Sequence, residues 1–380
     1  MANTLTDLMP TLYAALDIVS REMVGFVPAV AVNAAPTGAA KDEQITIPVT
    51  PSATTHDIVA GQKPDNNGDQ DISNVSMTIS KSKYAPVRWN GEEQLGMNNA
   101  GTYTSVLTQQ FAQAMRALAN EVDADIAALY KEASRAYGTP GTTPFASNIS
   151  DVAQMRKILA DNGAPITDLQ LVIDTTAGAN LRSLGQLTKA NEANTDETLR
   201  RGVLLQLSGF SIRESGHIKM HTAGKFTGDA LVNNSGGYAK GAKTIAFDGA
   251  SGTALSAGDI VAFDSSGYKY VVPKAASSTP FSIAAPGLMA AVADDAPISV
   301  SGSYIANMAF DRNAIQLIAR TPAMPQGGDS AEDVTIVTDP VSGISFQVAL
   351  YREYRQVRYE VGLAWGVKLI KPEHTAILLG

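Results

Sequence analysis

The sequence predicts an α+β fold with an all-β insertion, and three observations predict it. One long amphipathic helix pattern begins at Tyr103. Segments that alternate apolar and polar residues, the period of a half-buried strand, lie on both sides of it. From about Thr222 to Ala309 the chain turns dense in Gly, Ala and Ser, with short strand candidates roughly every eight to twelve residues.

In the helix pattern, apolar residues fall at Leu107, Phe111, Met115, Leu118, Val122, Ile126, Leu129 and Ala133, in steps of four and three. The pattern continues to about Tyr137, a helix of roughly 50 Å at 1.5 Å per residue. Its opposite face carries Gln109, Gln113, Arg116, Asn120, Asp123 and Lys131. The spacing ends within about five heptads and strands follow, so one helix laid against a sheet is expected in preference to a coiled coil.

Before it, Leu5 to Phe26 places Leu8, Leu12, Leu16, Val19 and Met23 on one helix face, with Asp7 near the start and Gly25 as a stop. Pro28 and Pro36 set this helix apart on a small-residue tether. Its apolar face needs either the domain's own core or a neighbouring subunit. Two alternating segments follow, Gln44 to Val49 and Asn74 to Ser80, separated by the polar stretch Thr50 to Asp71. A lone hairpin is marginal in water, so this pair needs a surface to lie on.

After the long helix, Val152 to Asp161 reads as a helix and Leu169 to Ile173 as a buried strand. Asp174 or Thr175 is placed to cap a helix over Thr176 to Leu184, since a side-chain oxygen there satisfies orphan amides. Leu204 to Arg213 reads as a strand. In the insertion the candidates are Ala230–Val232, Thr244–Phe247, Asp259–Phe263, Tyr268–Val272, Pro280–Ile283 and Ile298–Val300, parted by Gly-, Asn- and Ser-rich turns. That spacing predicts a small antiparallel barrel or sandwich. Longer strands resume at Ala314 to Ala319, Asp333 to Val337, Ile344 to Tyr351 and Gln356 to Ile370.

Composition narrows the function classes. The 380 residues have room for one large domain or two to three smaller ones, and 44% hydrophobic residues supply a core without staples. The chain has no cysteine, which removes disulfides, thiolate catalysis and cysteine-bound metals. A net charge of −8 lacks the basic footprint of a nucleic-acid binder. The longest apolar stretch, Phe281 to Val292, is too short to span a membrane and holds Pro286 and Gly287. No basic residues precede the first apolar ones, so no signal peptide is expected and a soluble, intracellular product is the default.

Chemistry-bearing patterns are sparse. Gly249 and Gly252 lie close together without the rest of a dinucleotide fingerprint, and no phosphate loop or nucleophile elbow occurs. Of the four histidines, His56, His217, His221 and His374, two lie four apart. His217 and His221 flank Ile218 and Met220 in a strand-like stretch without an intervening glutamate, so ordinary surface or interface histidines are expected there rather than metal ligands. The segment Asp65-Asn66-Asn67-Gly68-Asp69-Gln70-Asp71 is similar to a calcium loop, but its glycine is misplaced and Ser76 stands where the bidentate glutamate belongs. Asp294, Asp295 and Asp329 read as solvated turn residues. The expectation is no enzyme: no catalytic, cofactor-binding or metal-binding residue, and no cofactor.

The order of parts resembles the capsid fold of tailed phages, named after the Hong Kong ninety-seven virus. Within it the chain is most similar to coat proteins with an inserted β-barrel, of the kind found in Salmonella phage P-twenty-two. Four segments carry the likeness. They are Gln206 to Ser215 before the insertion, Leu255 to Phe263 within it, Ala309 to Leu317 after it, and Gly362 to Val367 with Lys371-Pro372-Glu373-His374-Thr375-Ala376-Ile377 at the close. The resemblance implies an N-terminal arm over 1–40, an extended hairpin loop over 41–90, and a spine helix with peripheral domain over 91–150. It further implies an axial domain over 151–221, the inserted barrel over 222–309, and return strands of the peripheral and axial domains over 310–380.

By the same resemblance the function is a major capsid protein. Copies would self-assemble as hexamers and pentamers into an icosahedral shell enclosing double-stranded DNA, without sequence-specific binding and without a membrane. A scaffolding protein and a portal are the implied partners, with a decoration protein as a further candidate. The location would be the virion, after assembly in the host cytoplasm. Some family members cross-link hairpins through lysine and asparagine. Lys63, Lys81 and Lys83 lie on or near the hairpin here, but no matching asparagine and acid are evident. The rival readings are another phage structural protein such as a tail-tube subunit, a surface-array protein, or an enzyme with a barrel accessory domain.

Overall fold

The computed structural model describes residues 5–22, 25–49, 55–58, 60–63, 73–99, 101–184, 205–263, 267–340 and 342–380. The calcium-like segment Asp65 to Asp71 and Met23 lie outside the described residues.

Helix α1 (Leu5–Glu22) is followed by β1 (Ala31–Ala39), the hairpin strands β2 (Gln44–Val49) and β3 (Ser73–Thr78), and β4 (Lys81–Asn90). Next come α2 (Gly91–Asn99), the spine helix α3 (Tyr103–Ala127) and β5 (Arg135–Tyr137). They are followed by α4 (Ser150–Asp161), β6 (Leu169–Ile173), α5 (Thr175–Ser183), β7 (Leu205–Leu207) and β8 (Phe210–Glu214). The chain continues through β9 (Met220–His221), β10 (Lys225–Thr227), β11 (Ala230–Val232), β12 (Thr244–Ile245) and β13 (Phe247–Asp248). It continues with β14 (Gly252–Ala254), β15 (Ile260–Phe263), β16 (Lys269–Val271), β17 (Phe281–Ser282) and β18 (Pro297–Val300). The closing strands are β19 (Tyr304–Asp311), β20 (Ile315–Pro322), β21 (Asp333–Thr338), β22 (Ser345–Glu353), β23 (Gln356–Leu369) and β24 (Thr375–Leu379).

The spine helix follows its predicted register. Leu107, Phe111, Met115, Leu118, Val122 and Ile126 are all buried against Tyr359, Val361, Leu363 and Trp365 of β23 and Phe346 and Val348 of β22. Phe111 meets Tyr359 edge-on at 5.3 Å. The helix is shorter than predicted: α3 has 25 residues, roughly 38 Å. A 3-10 turn over Ala128–Glu132 ends it. Arg135 to Tyr137 are drawn into a sheet between β24 and β16, where ladder bonds outweigh the helical periodicity of Leu129 and Ala133. On the other side of α3, Leu12, Ala15, Leu16 and Val19 of α1 join the same core. The N-terminal helix thus packs on its own subunit.

Two large sheets organise the rest. One has six strands in the order β1-β20-β23-β22-β21, with β4 pairing β23 over ten residues. The other has twelve, in the order β13-β11-β18-β15-β16-β5-β24-β19-β6-β8-β7, with β9 alongside β19. Helices α4 and α5 cover its centre through Val152, Met155, Leu159, Ala177 and Leu181. Asp174 caps α5 as expected, accepting from Thr176 and Ala177 amides.

The segment read as one strand from Leu204 to Arg213 is a hairpin instead. Ser208 and Gly209 both take positive φ, 51° and 87°, the conformation that turns a two-residue loop back on itself, so β7 and β8 pair antiparallel. Each strand candidate of the insertion forms ladder bonds, with β10 and β14 in addition. Its strands enclose a core of Val232, Ile245, Phe247, Val261, Phe263, Val272, Phe281 and Ile283. They also continue through the β16–β5 pair into the central sheet. Strand β19 runs across the expected end of the insertion at Ala309 and pairs with both β24 and β6.

Candidate functional site

The β2–β3 hairpin forms a two-stranded sheet apart from the two large ones. Six residue pairs from Gln44↔Thr78 to Val49↔Ser73 form its ladder, and no further strand flanks it among the described residues. One side chain in two is exposed, at Gln44, Thr46, Pro48, Asn74, Ser76 and Thr78, while Ile45, Ile47 and Val75 are half-buried. Its inner face is anchored, with Ile45 and Ile47 packed against the cluster at its base. Met77 and Ile79 pack with Ala39, Ile318 and Ala364, and the Lys368 ammonium donates to the Ser76 carbonyl at 2.8 Å.

The base is tied to the spine helix by charge. The Lys81 ammonium lies 2.7 Å from Asp125 and 3.0 Å from Glu121, and Lys83 lies 2.5 Å from Glu121. The Trp365 indole donates to Asp125 at 2.9 Å. Burial works against the charge on Lys81, but its hydrogen bonds to Asp125 and Glu121 outweigh this and hold its pKa above the ordinary lysine value. For Glu121, burial is likewise outweighed by the two lysines, which lower its pKa. The Lys81 ammonium is therefore engaged as a cation, poorly suited to act as a nucleophile. Lys63 is exposed.

Asp123, placed by periodicity on the polar face of α3, is buried instead. Its Oδ1 accepts from the amides of Phe26 at 2.6 Å and Val27 at 3.2 Å. Its Oδ2 accepts from the Ser215 hydroxyl at 2.5 Å and faces His217 Nδ1 at 3.1 Å. A cavity of about 250 Å³ beside it is lined by Arg116, Asn120, Glu214, Ser215 and His217. The three residue types are those of a hydrolase triad, but the connectivity is wrong. In a triad the imidazole stands between serine and aspartate. Here serine and histidine both bind the carboxylate, so no imidazole is placed on the hydroxyl to take its proton. The arrangement is a fastening.

His221 makes a second buried node. Its Nε2 lies 2.7 Å from Asp259 Oδ1, and its Nδ1 lies 2.9 Å from the Tyr130 hydroxyl. Asp259 is fully buried and also accepts from the amides of Gly224 at 3.0 Å and Ser256 at 2.7 Å. Tyr304 packs on both rings and donates to the Gly258 carbonyl at 2.5 Å. Burial first, then the charge of Asp259, pushes the Tyr130 hydroxyl pKa up.

The two histidines four apart in a strand-like stretch are thus divided. Only Met220 and His221 are in a strand, and each imidazole serves a different carboxylate. Among the described residues no three metal-ligating side chains converge. His374 is buried, which lowers its pKa, and His56 is exposed. Asp294 and Asp295 lie exposed in a turn, as does Asp329, which accepts from Tyr351 at 2.6 Å and has its pKa lowered by that bond. Gly249 turns with φ of 74° against the Asp229 carbonyl, not around an anion. Asp123 and Asp259 were not singled out by sequence reasoning, since each acquires its role from segments distant in the chain.

No protein-family model and no curated protein sequence matches the chain. Among solved structures it is similar to one described as "Mycobacterium phage Che8", with 14% identity over 89% of this chain and 85% of that one and a TM-score of 0.44. It is similar to "Capsid structure of the Cyanophage P-SCSP1u", with 12% identity over 92% of this chain and 86% of that one and a TM-score of 0.45. It is also similar to a "virus-like particle from Pyrococcus furiosus", with 10% identity over 97% of this chain and 98% of that one and a TM-score of 0.45.

Proposed function

We propose that this chain is a shell-forming subunit, the major capsid protein of a tailed bacteriophage, whose copies associate as hexamers and pentamers around double-stranded DNA. The observation that carries the reading is the β2–β3 hairpin. Its outward side chains are exposed, its two strands pair with no third strand among the described residues, and a two-stranded ribbon alone is marginal in water. A neighbouring copy supplies the missing surface. The element order supports the reading: N-terminal helix, extended hairpin, spine helix, mixed sheet, insertion, return strands.

In this reading the insertion from Thr222 is the added barrel of the Salmonella phage P-twenty-two type, bracing its own subunit through the Asp259 node. A net charge of −8 suits a container that does not grip its contents. A scaffolding protein and a portal are the partners in assembly, a decoration protein is a further one, and the virion is the location. The chemistry of both histidine nodes is consumed in fastening, which supports a protein without catalysis.

The test is expression of the full chain, alone and with the scaffold encoded beside it, followed by negative-stain electron microscopy. Closed shells, sheets or polyheads are expected. Straight tubes would move the assignment to a tail tube, and a persistent small species in both preparations would end the shell reading.

A further inference from the structure

We propose that Asp123 and His217 form a clip that fastens the connection after the N-terminal helix to the spine helix, and that the clip loosens as His217 gives up its proton. The inference stands apart from the shell reading, since it concerns one subunit.

Three segments distant in sequence meet at one carboxylate. From the N-terminal side come the amides of Phe26 and Val27, from the entry to the insertion come Ser215 and His217, and α3 supplies Asp123. The N-terminal chain passes so close that a Cβ on Gly25 would lie 2.8 Å from both carboxylate oxygens and 3.0 Å from the Ser215 Cβ. Any side chain there would displace the Asp123 carboxylate. The Ser215 hydroxyl in turn accepts the His217 amide at 3.1 Å, so the imidazole is delivered to the carboxylate by a preset turn.

The imidazole can exchange its proton without unfolding. Its side chain is 35% exposed, whereas Asp123 is 10% exposed, and the cavity beside them opens to it. The charged groups facing it from α3 are Asp123 and Arg116, and from its own segment Glu214 and Lys219. Glu214 is engaged by Arg182 of α5. The Gly25 to Val27 connection presents amides and apolar side chains only. The hydrogen bond to Asp123 raises the His217 pKa, against burial and Lys219, which lower it.

The sign follows. The folded chain holds this proton more tightly than an unfolded one, whose histidine has the ordinary value of 6.5. The stabilisation is therefore complete below 6.5 and is lost as pH rises through the higher folded value. Above it, neutral imidazole still donates from Nδ1, but without charge, and charge-assisted bonds are roughly twice as strong as neutral ones. The amides of Phe26 and Val27, and through them α1, are then held less firmly.

Hydrogen–deuterium exchange on the full chain tests this, comparing about pH 6 with about pH 9 after correction for intrinsic exchange, a range that brackets histidine titration. In the wild type, protection of Phe26 to Val30 is expected to fall several-fold towards the higher pH. In His217→Gln, which keeps a donor but takes no charge, it should be low and flat. In Lys219→Gln, an exposed change that removes a repelling cation, the midpoint should move to higher pH. A wild-type pH response equal to that of His217→Gln overturns the proposal. Should His217→Gln not fold, an unmoved midpoint in Lys219→Gln overturns it as well.

Discussion

The Tyr130 hydroxyl lies 2.9 Å from His221 Nδ1, joining the turn that ends α3 to strand β9, just before the segment from Thr222. On its other side the imidazole meets Asp259, with Nε2 2.7 Å from Oδ1. Carboxylate, imidazole and phenol thus form a continuous buried chain. It fixes the insertion to the helix independently of the β16–β5 ladder.

Tyr130→Phe leaves the buried Nδ1 without its hydrogen-bond partner and should lower stability by about 1–3 kcal/mol in urea titration. Asp259→Ala removes the acceptor for an imidazole and two amides and should cost about 3–5 kcal/mol. A phenylalanine variant as stable as the wild type would show that the contact contributes nothing to the attachment.

His374 gives a pH prediction of opposite sign to His217. Burial lowers its pKa below the ordinary 6.5, against the raising effects of Glu373 and Asp311. The unfolded chain therefore binds this proton more readily than the folded one. Stability is present above 6.5 and is lost as pH falls through that value towards the folded one. His374→Gln should remove part of the melting-temperature loss seen between about pH 7 and about pH 5, where histidine titrates. An identical loss in both proteins refutes the assignment.

Lys81 and Lys63 should differ in reactivity. Lys81 is held as a cation by Asp125 and Glu121 and lies beneath Trp365, with its ammonium 5.8 Å from the ring centre. Lys63 is exposed. Amine acylation at about pH 8, followed by peptide mass spectrometry, should label Lys63 several-fold faster, since the neutral amine is the reacting form. Glu121→Gln with Asp125→Asn should speed labelling at Lys81 and leave Lys63 unchanged. Equal rates in the wild type would contradict the ion pairing.

Much of this was legible in the sequence where the determinant is local. The stripe from Leu107 to Ile126 fixed the buried face of the spine helix residue by residue. Alternation marked both hairpin strands, and Asp174 announced the helix it caps. What escaped depends on distant partners. Arg135 to Tyr137 continue a helical pattern, yet β24 and β16 claim them from more than a hundred residues away. Ser208 and Gly209 bend one apparent strand into two. Asp123 sits among polar-face residues and is buried because Gly25 to Val27 and Ser215 to His217 converge on it. No period within α3 encodes that. Strand β4 was missed because Lys81, Lys83 and Arg88 mask its alternation, while its ladder with β23 supplies the order.

Gly366 provides a variant that separates folding from assembly. It lies in β23 where the hairpin base crosses, and a Cβ there would stand 2.2 Å from the Thr78 carbonyl oxygen and 3.2 Å from the Ile79 Cα. Both are backbone atoms, so the alanine of Gly366→Ala can be accommodated only if the hairpin base lifts from the sheet. The α1–α3 core and the insertion core lie elsewhere and should survive. The expected result is a folded subunit with a lowered melting temperature, on the order of a 1–3 kcal/mol loss as for other overpacked sites. If the hairpin seats on a neighbouring copy, that subunit should also fail to close into shells under conditions where the wild type does. Normal shells from a folded Gly366→Ala chain would mean that the seating of the hairpin base is not what sets its reach towards a neighbour.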